Sequence, residues 1–178
     1  DSRTITPGAL FIALRGARHD AHEFVAEALR NGAVCALVER AVADVPPSRL
    51  VCVADTLKAL GDLAAWTRSV HPLRVVAITG SNGKTTTKEM VASICNAAVG
   101  ADGVRKSEGN YNNLIGLPLT LLQLRGDETV AVLEMGMNHP GEIARLTEIA
   151  RPNYAVIPNV GPAHLEGVGG TLAGVAAA

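Results

Sequence analysis

The chain has few cysteines, no excess of either charge and no long hydrophobic run. Its three cysteines, Cys35, Cys52 and Cys95, show no Cys-X-X-Cys spacing and have apolar neighbours. We therefore expect small buried residues in a reducing compartment, which favours the cytoplasm. The net charge of −1 argues against a nucleic-acid partner, and no apolar run approaches the roughly 20 residues of a membrane span. A monomer is our starting hypothesis.

What the chain does contain is enough apolar material for a core. Hydrophobic residues make up 48% of its 178 residues, which suffices for one ordinary domain or two small ones. In the first part, apolar patterns predict strands at 9–14, 34–38 and 50–53 and helices at 21–30 and 56–70. Pro72 stops the last helix, because proline disfavours the helical conformation in the residue before it. We therefore predict a small α/β domain over residues 1–72.

The second part, residues 73–178, repeats a rhythm of strand and helix. The pattern predicts strands at 75–79, 130–134 and 154–157 and helices at 84–98, 118–124 and 142–149. Apolar strands separated by helices favour a parallel sheet covered on both faces, with ligands at the carboxyl ends of the strands. The predicted fold class is α/β, a small N-terminal domain followed by part of a P-loop-type ATPase domain. Because residues 172–178 have the pattern of a helix start, we expect a fragment of a longer protein.

The turn between strand 75–79 and helix 84–98 has the pattern of a phosphate-binding loop. It consists of Gly80, Ser81, Asn82, Gly83, Lys84, Thr85 and Thr86. Glycines permit positive φ and a close approach to an anion, while backbone N–H groups and the helix N-terminus face phosphate. We expect Lys84 to reach the β- and γ-phosphates and the Thr85 hydroxyl to bind Mg²⁺. The alternative is a turn that only caps the helix, and Ile78 replaces the first glycine of the usual motif.

Two side chains that follow predicted strands are candidate metal ligands. Glu134 ends strand 130–134, at the sheet edge where the phosphate loop is expected, so we predict a Mg²⁺ ligand rather than a solvated carboxylate. His164 follows strand 154–157 in the same way and is a candidate for a second metal contact or a phosphate neighbour. The alternative for a single histidine is a structural hydrogen-bonding role.

A glycine-bounded loop at 109–116 holds three asparagines, Asn110, Asn112 and Asn113. Their amides offer neutral donors and acceptors that suit a sugar or a peptide. Asparagine is also common in turns for conformational reasons alone, which is the alternative interpretation.

The first domain contributes polar groups near turns. Ser2 and Arg3 are candidates for binding a pyrophosphate or a nucleoside, since arginine and hydroxyl groups suit both. Asp20 is at least as well explained as a cap of the following helix. In helix 56–70 we expect Trp66 to belong to the core. It would lie there with the stripe of Leu57, Leu60, Leu63 and Ala64.

Together these motifs resemble the Mur ligases of peptidoglycan assembly over almost the whole chain. Besides the phosphate loop, the segments that carry the resemblance are 1–22, 109–118, 134–143 and 159–167. The resemblance implies that Lys84 and the loop amides bind ATP and that Lys84 and His164 serve catalysis. It implies a first Mg²⁺ on Thr85 and Glu134 and a second on His164. For substrate it implies Ser2 and Arg3 at the UDP end and Asn112 and Asn113 in the substrate loop.

The family reaction transfers the ATP γ-phosphoryl group to a substrate carboxylate, and an amine then attacks the acyl phosphate. Segment 1–22 is shared with the branch that adds the third peptide residue, and the combination of 109–118, 134–143 and 159–167 favours the branch that joins UDP-MurNAc-tripeptide to D-alanyl-D-alanine. The branch that adds the third peptide residue and a nucleotide-binding module without ligase activity remain as alternatives. In the family a carbamylated lysine follows the His-Leu-Glu segment, and this chain contains none there. We therefore expect these 178 residues alone to be inactive, with part of the first domain also missing before Asp1.

Overall fold

The computed structural model describes residues 2–16, 19–162, 171 and 174. Its contacts separate two compact units, Asp1–Leu60 and Gly61–Ala178. The division falls inside the helix Thr56–Val70, and the boundary that the sequence predicts at Pro72 lies just beyond the end of this helix. The assignment of UDP-substrate binding to residues 1–72 and of ATP binding to residues 73–178 stays a prediction.

The first unit is built on a parallel three-stranded sheet. Its strands, in spatial order, are Leu10–Ile12 (β1), Cys35–Val38 (β2) and Leu50–Cys52 (β3). The helices are Val25–Arg30 (α1) and the beginning of Thr56–Val70 (α2), with 3₁₀ turns at Ser2–Thr4, Ala21–Phe24 and Pro47–Arg49. The three strands confirm the sequence pattern, because each lies within its predicted range. Their inward side chains pack on α1 in a core of Phe11, Ala13, Val25, Ala28, Leu29, Ala33, Ala36 and Val38.

Asp20 caps the helical segment that follows it, as the sequence predicts. Its Oδ1 accepts the backbone N–H of His22 at 3.0 Å, at the start of the 3₁₀ turn Ala21–Phe24. This turn continues directly into α1. The single helix expected over residues 21–30 is thus a 3₁₀ turn followed by an α-helix.

The second unit contains a parallel sheet of four strands. The strands are Arg74–Ile78 (β4), Val104–Lys106 (β5), Val130–Glu134 (β6) and Tyr154–Val156 (β7), in the spatial order β5-β6-β4-β7. The helices, besides the rest of α2, are Lys84–Val99 (α3), Gly116–Leu121 (α4) and Glu142–Ala150 (α5). All pairings are parallel, so the carboxyl ends of the four strands meet at one edge. The predicted parallel α/β arrangement is confirmed.

The core of the second unit lies mainly on one face of the sheet. A 3₁₀ turn, Ala101–Gly103, leads into β5. Buried residues from α2, α4, α5 and the strands form the main cluster, and Ile78, Ala92 and Val132 form a smaller one toward α3. No helix in the described part of the chain is long and apolar enough to cross a membrane.

Two predictions about the core are wrong. Trp66 is 62% and Leu57 37% exposed, whereas Leu60 and Ala64 are buried. The buried face of α2 therefore follows the spacing from Leu60 to Ala64, and Trp66 does not share it.

The cysteines are not all buried either. Cys52 is exposed, and Cys35 and Cys95 are half-buried. Cys52 lies on β3, an edge strand of the first sheet whose outer residues face solvent, so its apolar sequence neighbours did not predict its burial.

Candidate functional site

The turn between β4 and α3 has the backbone that a phosphate-binding loop requires. Gly80 has a φ of +130° and Gly83 a φ of +79°, backbone conformations that residues with a Cβ rarely adopt. A Cβ on Gly80 would lie 2.8 Å from the carbonyl oxygen of Asn159. Gly83 precedes α3 and offers no side-chain cap to the first N–H groups of this helix, which, as at any helix start, have no intrahelical acceptor. Thr85 and Thr86 at this helix start are exposed, and their N–H groups suit an anion.

Lys84 curls back over this loop. Its Nζ donates to the carbonyl oxygens of Gly80 at 2.7 Å and Ser81 at 3.3 Å. Within residues 2–16 and 19–162 it forms no ion pair. The ammonium is therefore held at the loop by two neutral carbonyl oxygens, which an anionic ligand such as a phosphate can replace.

Glu134 lies beside this loop because its strand is paired with β4. Ile78, the last residue of β4, is in register with Glu134, and the carboxylate is 3% exposed. Its Oε2 accepts the Thr85 hydroxyl and its Oε1 accepts the Asn112 amide, both at 2.9 Å. Its backbone N–H donates to Ser107 Oγ at 3.2 Å. Among the described residues Glu134 has no cationic partner, so a buried carboxylate is hydrogen-bonded by neutral groups alone.

The asparagine loop divides its side chains between two tasks. Asn112 reaches Glu134, and its carbonyl oxygen accepts the N–H of Gly136 at 2.8 Å. The Oδ1 of Asn113 instead accepts the N–H groups of Ile115 at 3.0 Å and Gly116 at 2.9 Å, at the start of α4. The turn interpretation therefore describes Asn113 Oδ1, while Asn112 lies at the candidate site.

Three residues of this site were absent from the sequence-based candidates. Ser107 follows β5 and is fully buried under Glu134. Lys88, 1% exposed on α3, donates to the carbonyl oxygen of Ser107 at 2.8 Å and pairs with Glu89 at 3.0 Å. Asn159 follows β7 and contacts the phosphate loop. For Asn159 the available signal was its position shortly after the predicted strand 154–157, whereas Ser107 follows a strand that the apolar pattern did not predict.

The remaining predicted residues lie elsewhere or outside the described part. Ser2 is buried in the first unit, where its carbonyl oxygen accepts the Asn31 amide at 3.0 Å. Arg3 lies in the same 3₁₀ turn. His164 lies outside the described residues. Among those that are described, no cluster of three His, Cys, Asp or Glu side chains could hold a metal.

The first unit has its own polar cluster at the carboxyl edge of its sheet. The Nε2 of buried His22 accepts the N–H of Glu39 at 2.9 Å, so Nδ1 carries the proton and donates to Asp20 at 2.5 Å. Arg40 pairs with Asp20 at 2.7 Å, and Arg15 lies 3.5 Å from Glu39. The Arg40 guanidinium holds the pKa of Asp20 well below its usual range, with help from the His22 N–H.

Glu39 is held in the same cluster by Thr56. The backbone N–H and the hydroxyl of Thr56 both donate to Glu39 Oε1 at 3.0 Å, and this N–H is the main cause of the lowered pKa of Glu39. A cleft of about 500 Å³ opens beside the pair, lined also by Arg15, Gly16 and Asp55. The carboxylates of this cluster are thus ionised and already compensated.

Family models match both parts of the chain. The Mur ligase middle domain matches residues 78–178, more than half of the chain, and the Mur ligase family catalytic domain matches residues 1–67. The chain therefore belongs to the Mur ligase family, as its motifs predict.

Similar proteins carry more specific names. The UDP-N-acetylmuramoyl-tripeptide–D-alanyl-D-alanine ligase of Escherichia coli K12 is 48% identical over all of this chain and 38% of its own length. A crystal structure of MurF from Acinetobacter baumannii matches with a TM-score of 0.91 and 44% identity, over 99% of this chain and 38% of that one. MurF from Thermotoga maritima in complex with ADP matches with a TM-score of 0.89 and 40% identity, over 99% and 40%. The chain thus spans 38% of the length of two curated relatives, those of Escherichia coli and Haemophilus influenzae.

Proposed function

We propose that the protein containing this chain is an ATP-dependent amide ligase that joins UDP-MurNAc-tripeptide to D-alanyl-D-alanine in peptidoglycan precursor synthesis. The observation that carries the proposal is a pair of opposite charges at one sheet edge without ion-pair partners among the described residues. These are Lys84 on the phosphate loop and Glu134 at the end of β6. A phosphate group and a divalent cation together supply the two charges that are missing.

The donor set around Glu134 fits Mg²⁺. The carboxylate and the Thr85 hydroxyl are hard oxygen ligands, and Mg²⁺ is commonly bound by one or two such groups together with substrate phosphates. The buried Glu134 carboxylate lacks a compensating cation among the described residues, which is the local feature that a bound metal corrects. When bound, Mg²⁺ would neutralise charge on the phosphoryl oxygens.

The chain's own groups then have separable roles. The N–H groups at the start of α3 would bind phosphate oxygens, and Lys84 would leave the Gly80 and Ser81 carbonyls to stabilise charge on the transferred phosphoryl group. Asn112 would hold Glu134 in position through its amide. This chemistry needs positioning and charge stabilisation but no covalent enzyme intermediate.

Other parts of the proposal rest on the family resemblance. They are a second metal and a catalytic role at His164, UDP binding near Ser2 and Arg3, and substrate contacts at Asn112 and Asn113. Support for the substrates comes from the similar proteins, whose names state this ligase activity. ATP use is supported by the ADP complex of the Thermotoga maritima relative. A cytoplasmic, monomeric enzyme is part of the same proposal.

Phosphate release by the full-length gene product tests this function. The assay contains ATP and Mg²⁺, with UDP-MurNAc-tripeptide and D-alanyl-D-alanine each supplied or withheld. We expect release only when both are present. In a parallel assay, UDP-MurNAc-dipeptide and a diamino acid replace them. Activity with this shorter pair would assign the protein to the branch that adds the third residue, and release that is indifferent to both pairs would leave a nucleotide-binding protein without this ligase activity.

A further inference from the structure

We propose that Asn159 is a positioning residue that holds the phosphate loop in its nucleotide-binding conformation. Asn159 lies just after β7, the strand that pairs with β4. Its Oδ1 accepts the backbone N–H of Asn82 at 2.9 Å, and its Nδ2 donates to the carbonyl oxygen of Asn82 at 3.0 Å. The Asn159 carboxamide thus forms hydrogen bonds with both backbone polar groups of Asn82, its N–H and its carbonyl oxygen.

A second set of contacts joins the same two segments. The carbonyl oxygen of Asn159 accepts the N–H of Ser81 at 3.1 Å. The Ser81 hydroxyl donates to the carbonyl oxygen of Gly161 at 2.9 Å and accepts the Gly161 N–H at 2.8 Å. The contact is so close at Gly80 that a Cβ there would collide with the Asn159 carbonyl oxygen. We call these contacts of residues 159 and 161 with Gly80, Ser81 and Asn82 the loop clamp.

The loop clamp decides which N–H groups remain for phosphate. Because the N–H groups of Ser81 and Asn82 donate to Asn159, they are turned away from an anion at the start of α3. The donors that remain for phosphate are those at the helix start, including Thr85 and Thr86, which have no intrahelical acceptor.

The loop clamp also bears on the catalytic lysine. Lys84 donates to the carbonyl oxygen of Ser81, whose own N–H is held by Asn159. Asn159 therefore acts on Lys84 through the backbone of the loop. Ordering the loop before ATP arrives lowers the entropy that binding must overcome.

The chain offers a matched control at the opposite end of the same strand pair. Asn153 lies just before β7, and its Oδ1 accepts the N–H of Val75 at 2.9 Å while its backbone N–H donates to the Val75 carbonyl oxygen at 2.9 Å. Asn153 and Asn159 are both exposed, and each holds a backbone N–H of the β4 segment through its Oδ1. Only Asn159 holds the phosphate loop.

The test compares Asn159→Ala and Asn153→Ala in the full-length gene product. The dissociation constant of ADP with Mg²⁺ is measured by calorimetry, the unfolding midpoint by circular dichroism, and KM for ATP and for the UDP-linked substrate by phosphate release. We expect Asn159→Ala to weaken ADP about tenfold and to raise KM for ATP, with little change in KM for the UDP-linked substrate. Asn153→Ala should lower the unfolding midpoint by a few degrees without weakening ADP more than about twofold.

The outcomes separate this inference from the function on which it rests. If the wild-type protein binds no ADP, the proposed function itself is wrong. If the wild type binds ADP and Asn159→Ala binds it equally well, or if Asn153→Ala weakens binding as much, the positioning role is overturned. Should Asn159→Ala fail to fold, Ser81→Ala removes the other side-chain half of the loop clamp, and unchanged ADP affinity in that variant would equally overturn the proposal.

Discussion

A buried glutamate lies at each end of β6, and the two differ in the charge of their hydrogen-bonding partners. Glu128, just before the strand, and Glu134, at its end, are 5% and 3% exposed. Glu128 forms an ion pair with Arg105 at 2.6 Å and accepts the N–H groups of Arg125 and Gly126. Glu134 accepts only the neutral Thr85 hydroxyl and Asn112 amide among the described residues. A buried charge is costly unless it is compensated. The charge of Glu128 is compensated by Arg105 within the fold, whereas Glu134 is suited to a cationic ligand.

The two ends of β7 repeat this division with asparagine. Asn153 fixes the start of β4 through Val75, which is a contact between strands and nothing more. Asn159 fixes the loop that follows β4, where glycines and Lys84 lie. The amino-terminal end of the sheet therefore serves stability, and the carboxyl-terminal end carries groups arranged for a ligand.

Position at a carboxyl-terminal edge does not by itself identify such a site. The first sheet also ends in carboxylates, Asp20 and Glu39 among them, but Arg15 and Arg40 compensate their charge within the unit. The informative difference is the balance of charge, since the first cluster needs no further ion while the second lacks one of each sign.

The largest effect is expected for Lys84→Ala in the full-length gene product. Removing the ammonium takes away charge stabilisation of the phosphoryl group, so kcat/KM for ligation should fall by at least about 100-fold, with the unfolding midpoint nearly unchanged. Lys58→Ala is the matched control, because Lys58 is an exposed lysine of the first unit. Normal ligation by a folded Lys84→Ala protein would remove Lys84 from the catalytic role.

Glu134→Gln should separate function from stability. The substitution removes a buried negative charge but keeps the shape of the side chain, and the Thr85 hydroxyl can rotate to accept the new amide. We expect the Mg²⁺ concentration for half-maximal activity to rise about 10- to 100-fold, while the free energy of unfolding without nucleotide is not reduced. An unchanged Mg²⁺ dependence would exclude Glu134 as a metal ligand.

Glu128→Gln should instead lower stability and leave nucleotide binding unchanged. Burial raises the pKa of Glu128, but the hydrogen bonds from Arg105 and from the N–H groups of Arg125 and Gly126 outweigh this and bring it from 4.5 to about 2. Because the folded-state pKa lies below the unfolded one, the stabilisation is complete above pH 4.5 and is lost as the pH falls toward 2.

Replacing Glu128 by Gln should cost about 1.5–3 kcal/mol of unfolding free energy at pH 7. It should also flatten the loss of stability between pH 4.5 and 2, which urea titrations at several pH values can measure. ADP affinity of the folded protein should stay the same. A wild-type and variant pair with parallel pH profiles would contradict the assigned pKa.

Strand order and residue type in the sequence suffice to predict the phosphate loop, Lys84 and Glu134 at one edge of the sheet. The β-branched run of β4, the glycine turn and Lys84 follow one another as the motif requires, and Glu134 closes an apolar strand. Parallel pairing then brings the two together, since both lie at carboxyl ends. These inferences use only local patterns and one general rule of sheets.

Contacts that depend on tertiary structure could not be predicted in this way. β5 is a three-residue edge strand in which Arg105 and Lys106 obscure any apolar pattern, so its contribution to the sheet, and with it Ser107, was missed. The contacts of Asn159 join segments that are far apart in sequence, so its position after a strand indicates the sheet edge but not that it holds the phosphate loop. The exposure of Trp66 shows the same limit, because apolar type alone does not say which face of a helix is buried.

The smallest effect is expected for Gly136→Ala, which tests how tightly the uncompensated end of β6 is arranged. A Cβ on Gly136 would lie 3.1 Å from Cγ of Asn112, so the asparagine must shift by a few tenths of an ångström. That shift lengthens the bond from Asn112 to Glu134, and we expect the half-maximal Mg²⁺ concentration to rise about two- to fivefold, in the direction of Glu134→Gln but well short of it. Calorimetric Mg²⁺ titrations in the presence of ADP measure this shift. If Gly136→Ala instead lowered the unfolding midpoint and left Mg²⁺ dependence unchanged, Asn112 would be a packing residue, and the arrangement at this end of β6 would be looser than the structure implies.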